Sequence, residues 1–152
     1  MSAHPPPDPL VASLTVCRTI RASPERLFDA WTEPSRLMQW WGPAGVTCIS
    51  AEVDLRVDGR YRIGNQLPQG DVVWIVGVFE RISPPHLLVY SWQLEHLAQS
   101  PERVTVRFDQ VDAGTQVTVL HERIADMATR QSHDAGWQGC LQRLELWLST
   151  ST

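Results

Sequence analysis

Ala22-Ser23-Pro24-Glu25-Arg26-Leu27-Phe28-Asp29-Ala30-Trp31-Thr32-Glu33-Pro34, followed shortly by Trp40-Trp41-Gly42-Pro43, is the segment that decides the fold. Ser23 caps the free amides of a helix start, Pro24 occupies its first turn, and Glu25 suits its positive end. Leu27, Phe28 and Trp31 then recur at helical spacing. Glu33-Pro34 restarts a second short helix carrying Leu37, Met38, Trp40 and Trp41, which Gly42-Pro43 stops. Burying one indole removes roughly 150–250 Å² from water, about 4–6 kcal/mol as an upper value. Three indoles this close together either plug a core or wall a cavity.

On the N-terminal side, Leu14 to Arg21 alternates apolar and polar residues and reads as a strand. On the other side the period is two as far as Glu122. Asp58-Gly59 is the strongest hairpin signal, joining a strand near 47–57 to one near 60–67. Pro68-Gln69-Gly70, Ser83-Pro84-Pro85, Gln99-Ser100-Pro101 and Asp112-Ala113-Gly114 punctuate the strands that follow. Connections this short make neighbours antiparallel, so six strands form a meander and the first strand joins an edge. From about Ala125 to Ser149, residues His133, Trp137, Cys140, Leu141, Leu144 and Leu148 share one helical face. A helix of ~35 Å with one apolar stripe must lie across an apolar surface. The concave face of the sheet is the surface at hand, and the order β-α-α-β(6)-α is α+β.

Composition narrows the chemistry. The 152 residues suit one domain, residues 11–152, preceded by a Pro-rich arm at 1–10 that reads as disordered. A net charge of −4 argues against a nucleic-acid surface. There is no lysine, which removes Schiff-base and P-loop lysine chemistry. Cys17, Cys48 and Cys140 are odd in number and sit in apolar patterns, as reduced buried thiols do. No apolar run is long enough to span a membrane, and Met1–Leu10 lacks the pattern of a signal peptide. The expectation is a cytoplasmic monomer. No catalytic motif, metal set or cofactor signature is found, so neither catalytic residues, nor a metal, nor a cofactor is expected.

The segment quoted above, with Arg18 to Ile20, Asp54-Leu55-Arg56-Val57-Asp58-Gly59-Arg60-Tyr61, Gly77-Val78-Phe79, Pro84-Pro85, Leu88-Val89-Tyr90-Ser91-Trp92 and His133-Asp134-Ala135-Gly136-Trp137, carries a resemblance. The chain resembles the START-like (SRPBCC, helix-grip, birch-pollen-allergen-like) superfamily. Within it, the chain is similar to the bacterial family related to the C-terminal domain of the activator of heat shock protein 90 ATPase. The resemblance implies a curved sheet wrapped around the C-terminal helix, with a cavity between them that often takes apolar ligands. It also implies two alternatives: a cyclase- or hydrolase-like enzyme on an apolar carbonyl compound, or a chaperone-associated stress-response protein. The eukaryotic activators add a large N-terminal domain, whereas a ten-residue arm precedes the fold in this sequence.

The site expected from these residues is a non-enzymatic pocket for a small, largely apolar molecule, typically ~300–1,000 Å³ in volume. Its walls are Trp40, Trp41, Tyr90, Trp92, His133, Trp137 and Leu141, with His121 as the polar tether. Adjacent on a helix, Trp40 and Trp41 point about 100° apart, so one packs inward and the other sits at the mouth. Gly136 and Gly139 each cost about 1 kcal/mol inside a helix. Either another element passes close by, or a bound molecule needs the space. Trp74 reads as core, and Arg56, Arg60 and Arg62 as a solvated face.

Overall fold

The computed structural model describes residues 13–97 and 100–150. The Pro-rich arm at 1–10 lies outside the described residues. Strand β1 (Ser13–Ile20) leads into α1 (Pro24–Thr32) and α2 (Pro34–Trp40). Six strands follow: β2 (Thr47–Val53), β3 (Arg60–Gln66), β4 (Val72–Ser83), β5 (Leu87–Leu94), β6 (Glu102–Val111) and β7 (Gly114–Glu122). The last element is α3 (Met127–Thr150). The sheet order is β1-β7-β6-β5-β4-β3-β2, antiparallel throughout, so the meander closes with β1 on its β7 edge. This is the α+β helix-grip arrangement.

The local signals act as their chemistry dictates. Ser23 Oγ accepts from the Arg26 amide at 3.2 Å, and Pro24 opens α1. Alternation then selects the concave face. Leu14 and Val16 of β1, Val117 and Val119 of β7, Val104, Val106 and Phe108 of β6, and Leu88 and Tyr90 of β5 are all buried. Against them lie Leu27, Phe28 and Trp31 of α1, Leu37 and Trp40 of α2, and Trp137, Cys140, Leu141, Leu144 and Leu148 of α3.

Four indoles knit the helices together. Trp31 stacks on Trp137 at 6.0 Å and 19°, and its centroid lies 4.9 Å from that of Trp40 and 6.3 Å from that of Trp41. Its N–H donates to Tyr90 Oη at 3.2 Å, which ties α1 to β5. Trp40 is fully buried and donates to the Ala30 carbonyl at 2.9 Å, fixing α2 against α1.

Three expectations are corrected. Strand β2 stops at Val53, and residues 54–59 form a longer connection in place of a tight hairpin. Asp58 takes φ 67° and donates its amide to Phe79 O, while a Cβ on Gly59 would lie 2.1 Å from Asp54 O. Trp74 is not core: it lies on the outer face, half-buried, with the Arg62 guanidinium 3.6 Å from its ring centroid. Alternation along β4 assigns the inner face to Ile75 and leaves Trp74 the outer one. Cys17 is exposed, because it points outward between the buried Val16 and the half-buried Arg18; Cys48 and Cys140 are buried, and all three are free thiols. No helix among the described residues is long and apolar enough to cross a membrane.

Candidate functional site

Strand β6 begins with Glu102, two residues before Val104 on the same side of the strand, so its carboxylate faces inward with Val104, Val106 and Phe108. Val104 pairs with His121 of β7, which brings that imidazole to the same patch. Helix α3 lowers His133 and Trp137, one turn apart, onto it. Glu102 Oε1 accepts from His121 Nε2 at 2.7 Å and from His133 Nε2 at 2.8 Å. The two imidazoles stack at 4.4 Å and 19°, with the Trp92 ring edge-on to both.

The hydrogen-bond network assigns the tautomers. The Trp137 indole is a donor only, and its N–H points at His121 Nδ1 at 3.0 Å. His121 Nδ1 therefore accepts, and the proton sits on Nε2, where it donates to Glu102. His133 likewise holds its proton on Nε2, because a carboxylate can only accept. A single carboxylate oxygen thus joins β6, β7 and α3.

The electrostatics follow from that arrangement. Burial works to raise the Glu102 pKa, but the hydrogen bonds from His121 and His133 outweigh it, and the carboxyl lies at about 2. Burial holds His121 below its ordinary value against the opposing hydrogen bond to Glu102, so it stays neutral, as its tautomer requires.

Glu102, His121 and His133 have the composition of a metal-ligand set, with candidate ligand atoms within 4.8 Å of one another. The indole decides against a metal. An ion on His121 Nε2 needs that lone pair while Nδ1 is already accepting from Trp137, which would require an imidazolate. The residues fit a hydrogen-bonded relay and not a metal centre.

Beside this relay lies a cavity of about 110 Å³. It is lined by Trp41, Asn65, Ile75, Trp92, His121, His133, Trp137 and Cys140, together with Gly42, Pro43, Ser132 and Gly136. A separate void of about 20 Å³ lies deeper, among Trp31, Leu37, Tyr61, Phe79 and Tyr90, with Trp41 and Trp92 bordering both. The space between sheet and helix is smaller than the sequence suggested, because the indole cluster occupies much of it. The Asn65 Oδ1 atom is buried and has no hydrogen-bond partner.

The rim is held from α3. Arg143 Nη1 lies 2.7 Å from Val46 O, 2.9 Å from Gly42 O and 3.1 Å from Pro43 O, clamping the α2–β2 loop. The two helix glycines have different reasons to be glycine. A Cβ on Gly139 would come 2.9 Å from Pro43 Cβ, whereas one on Gly136 would meet nothing within 4 Å. Gly139 permits close approach; Gly136 leaves open space at the rim.

Of the residues singled out from the sequence, Trp41, Trp92, His121, His133 and Trp137 come together at this cavity. Tyr90 borders only the small void. Trp40 and Leu141 are fully buried core residues outside both walls. Glu102 and Asn65 were missed. Both were legible by period two: Glu102 heads the row Val104-Val106-Phe108, and Asn65 continues the row Tyr61-Ile63. Cys140 also lines the cavity, but burial pushes its thiol up to about 12, which leaves it a weak nucleophile.

Comparison with solved structures matches the whole architecture. Protein CV1439 from Chromobacterium violaceum superposes with a TM-score of 0.84 at 22% identity, covering 92% of this chain and 99% of that one. The AHSA1 protein from Silicibacter pomeroyi gives 0.81 at 22% identity, covering 91% and 98%. Protein Ms6760 from Mycobacterium smegmatis gives 0.81 at 19% identity, covering 95% of each chain. At these identities the likeness is one of fold. No curated protein matches the chain. Residues 21–149 match the family described as activator of Hsp90 ATPase homolog 1-like protein, and the chain belongs to that family, within the START-like superfamily.

Proposed function

We propose that this protein binds a small, largely apolar molecule in the cavity between the sheet and α3, as a carrier or sensor and not through covalent chemistry. The observation that carries the reading is the composition of the 110 Å³ space: indole and aliphatic walls, with open space beside Gly136. An apolar cavity of about 150 Å³ takes up benzene, and the space here, at about 110 Å³, is somewhat smaller but of the same order. The space here suits a single ring or a short branched chain. Trp41 and Trp92 supply the flat surfaces, and the relay holds Trp137 in place from behind. Membership of a START-like family supports the same reading.

The test is a titration followed by the indole N–H resonances, with toluene and other single-ring compounds, in the native chain and in Gly136→Leu. Binding should shift the Trp92 and Trp137 signals, and a leucine side chain at the rim should weaken binding at least tenfold. Absence of any shift, or equal binding by Gly136→Leu, would overturn the proposal.

A further inference from the structure

Asn65 follows Tyr61 and Ile63 along the inner face of β3 and is only 7% exposed, yet it lines the cavity. Its two amide atoms differ. Oδ1 is sealed off and has no hydrogen-bond partner, whereas Nδ2 is the amide atom left accessible, and it too has no partner among the described residues. The reverse assignment would seal the NH2 group instead, and orphaned buried N–H groups are rarer than under-satisfied carbonyl oxygens. The neighbouring donors are already engaged: the Trp137 indole N–H on His121 Nδ1, and Nε2 of both His121 and His133 on Glu102. The Asn65 amide nitrogen thus offers free donors to a space whose walls are mostly indole and aliphatic carbon.

We infer that the cavity selects uncharged molecules carrying a hydrogen-bond acceptor on an apolar body, small ketones foremost, with Asn65 Nδ2 donating to the acceptor. The inference rests on the cavity-binding function proposed above and adds the chemical class of its ligand. A molecule that displaces water from this space without offering an acceptor leaves buried N–H groups unmatched, and that penalty is larger than the value of an average hydrogen bond. A ketone oxygen accepts from Nδ2 while its carbon body packs on Trp41 and Trp92. An uncharged acceptor is favoured over a carboxylate, because no arginine lines the space to pair an anion. Asn65 is therefore a specificity-determining residue for binding.

The experiment compares cyclopentanone with methylenecyclopentane, the same shape with CH2 in place of the oxygen, in the native protein and in Asn65→Leu. Indole N–H titration reads affinity, and the side-chain NH2 resonances of Asn65 read the contact itself in the native chain. Water holds the ketone more strongly than the alkene, so the decisive quantity is the ratio of the two affinities compared across the two proteins. Cyclopentanone should move the Asn65 NH2 protons downfield, and the alkene should not. Leucine is close in size to asparagine and removes the unmatched amide, and with it in place the ketone-to-alkene affinity ratio should fall about tenfold. A ratio unchanged by the substitution, or Asn65 NH2 protons that stay in place as the ketone binds, would overturn the inference and leave the cavity reading standing. Tighter binding of cyclopentanecarboxylate than of cyclopentanone would overturn the preference for an uncharged acceptor. Failure of both the ketone and the alkene to shift the Trp92 and Trp137 signals would overturn the cavity reading, and the inference with it.

Discussion

Replacing Glu102 with glutamine removes one buried negative charge while keeping a carbonyl oxygen where Oε1 accepts from His121 and His133. The carboxyl lies at about 2 in the fold against an ordinary 4.5. At about 1.4 kcal/mol per tenfold change in acidity, its charged form stabilises the native state by about 3 kcal/mol near neutrality. The unfolded chain takes up this proton around pH 4.5, and the folded chain only near pH 2, so the contribution is full above about pH 5 and fades as pH falls through that window. His121 acts in the same direction at higher pH. Its folded value is depressed, so below about pH 6.5 the unfolded chain binds a proton that the fold refuses. Glutamine keeps neutral hydrogen bonds worth about 1 kcal/mol each in place of bonds to a charge. Glu102→Gln is thus expected to be less stable by about 2–3 kcal/mol near pH 7, with the gap closing toward about pH 3. Urea denaturation followed by tryptophan fluorescence at several pH values measures the gap directly. A gap that stays constant from neutral to acid, or no gap at neutrality, would refute the relay as drawn.

Other outcomes follow from the same geometry. Gly136→Ala should stabilise the protein by about 0.5–1 kcal/mol, since the new methyl meets open space, and Gly139→Ala should destabilise it because Pro43 Cβ stands 2.9 Å away. Thermal melts of the pair read opposite signs on one helix. Arg143→Leu should cost about 2 kcal/mol and speed amide exchange across residues 42–46, because one guanidinium nitrogen gathers that loop's carbonyls. Trp31→Phe should cost about 2–3 kcal/mol in chemical denaturation, from the smaller ring and the lost donation to Tyr90 Oη.

The fold was legible because its signals are local. Ser23-Pro24-Glu25 needs only neighbouring amides to act as a cap, and alternation in β5 to β7 sorts inner from outer faces without reference to the rest of the chain. The site was half legible. His121, His133 and Trp137 announced themselves as polar or aromatic breaks in apolar rows. Glu102 and Asn65 sit on equally regular rows, yet nothing local says that Glu102 will meet two imidazoles from elements 19 and 31 residues away. That meeting is set by the β6–β7 register and by how α3 settles on the sheet. The volume of the cavity was out of reach for a similar reason. It depends on Trp31 and Trp40 turning inward together, a packing outcome among four indoles from α1, the end of α2 with its C-cap Trp41, and α3. The side Trp74 takes is set by the parity of β4, which turns Ile75 inward, and not by its aromatic character.

Those four indoles have an optical consequence. Trp31, Trp40, Trp41 and Trp137 stand with ring centroids 4.9 to 6.3 Å apart in the contacts that join them. Transition dipoles this close pass excitation among themselves before they emit, and their coupling is expected to add a couplet to the circular-dichroism spectrum. Its handedness records the angles between α1, α2 and α3. A tilt of the C-terminal helix too small to change the secondary-structure content would therefore register as a change in that signal, and the protein carries its own gauge of how firmly the sheet grips the helix.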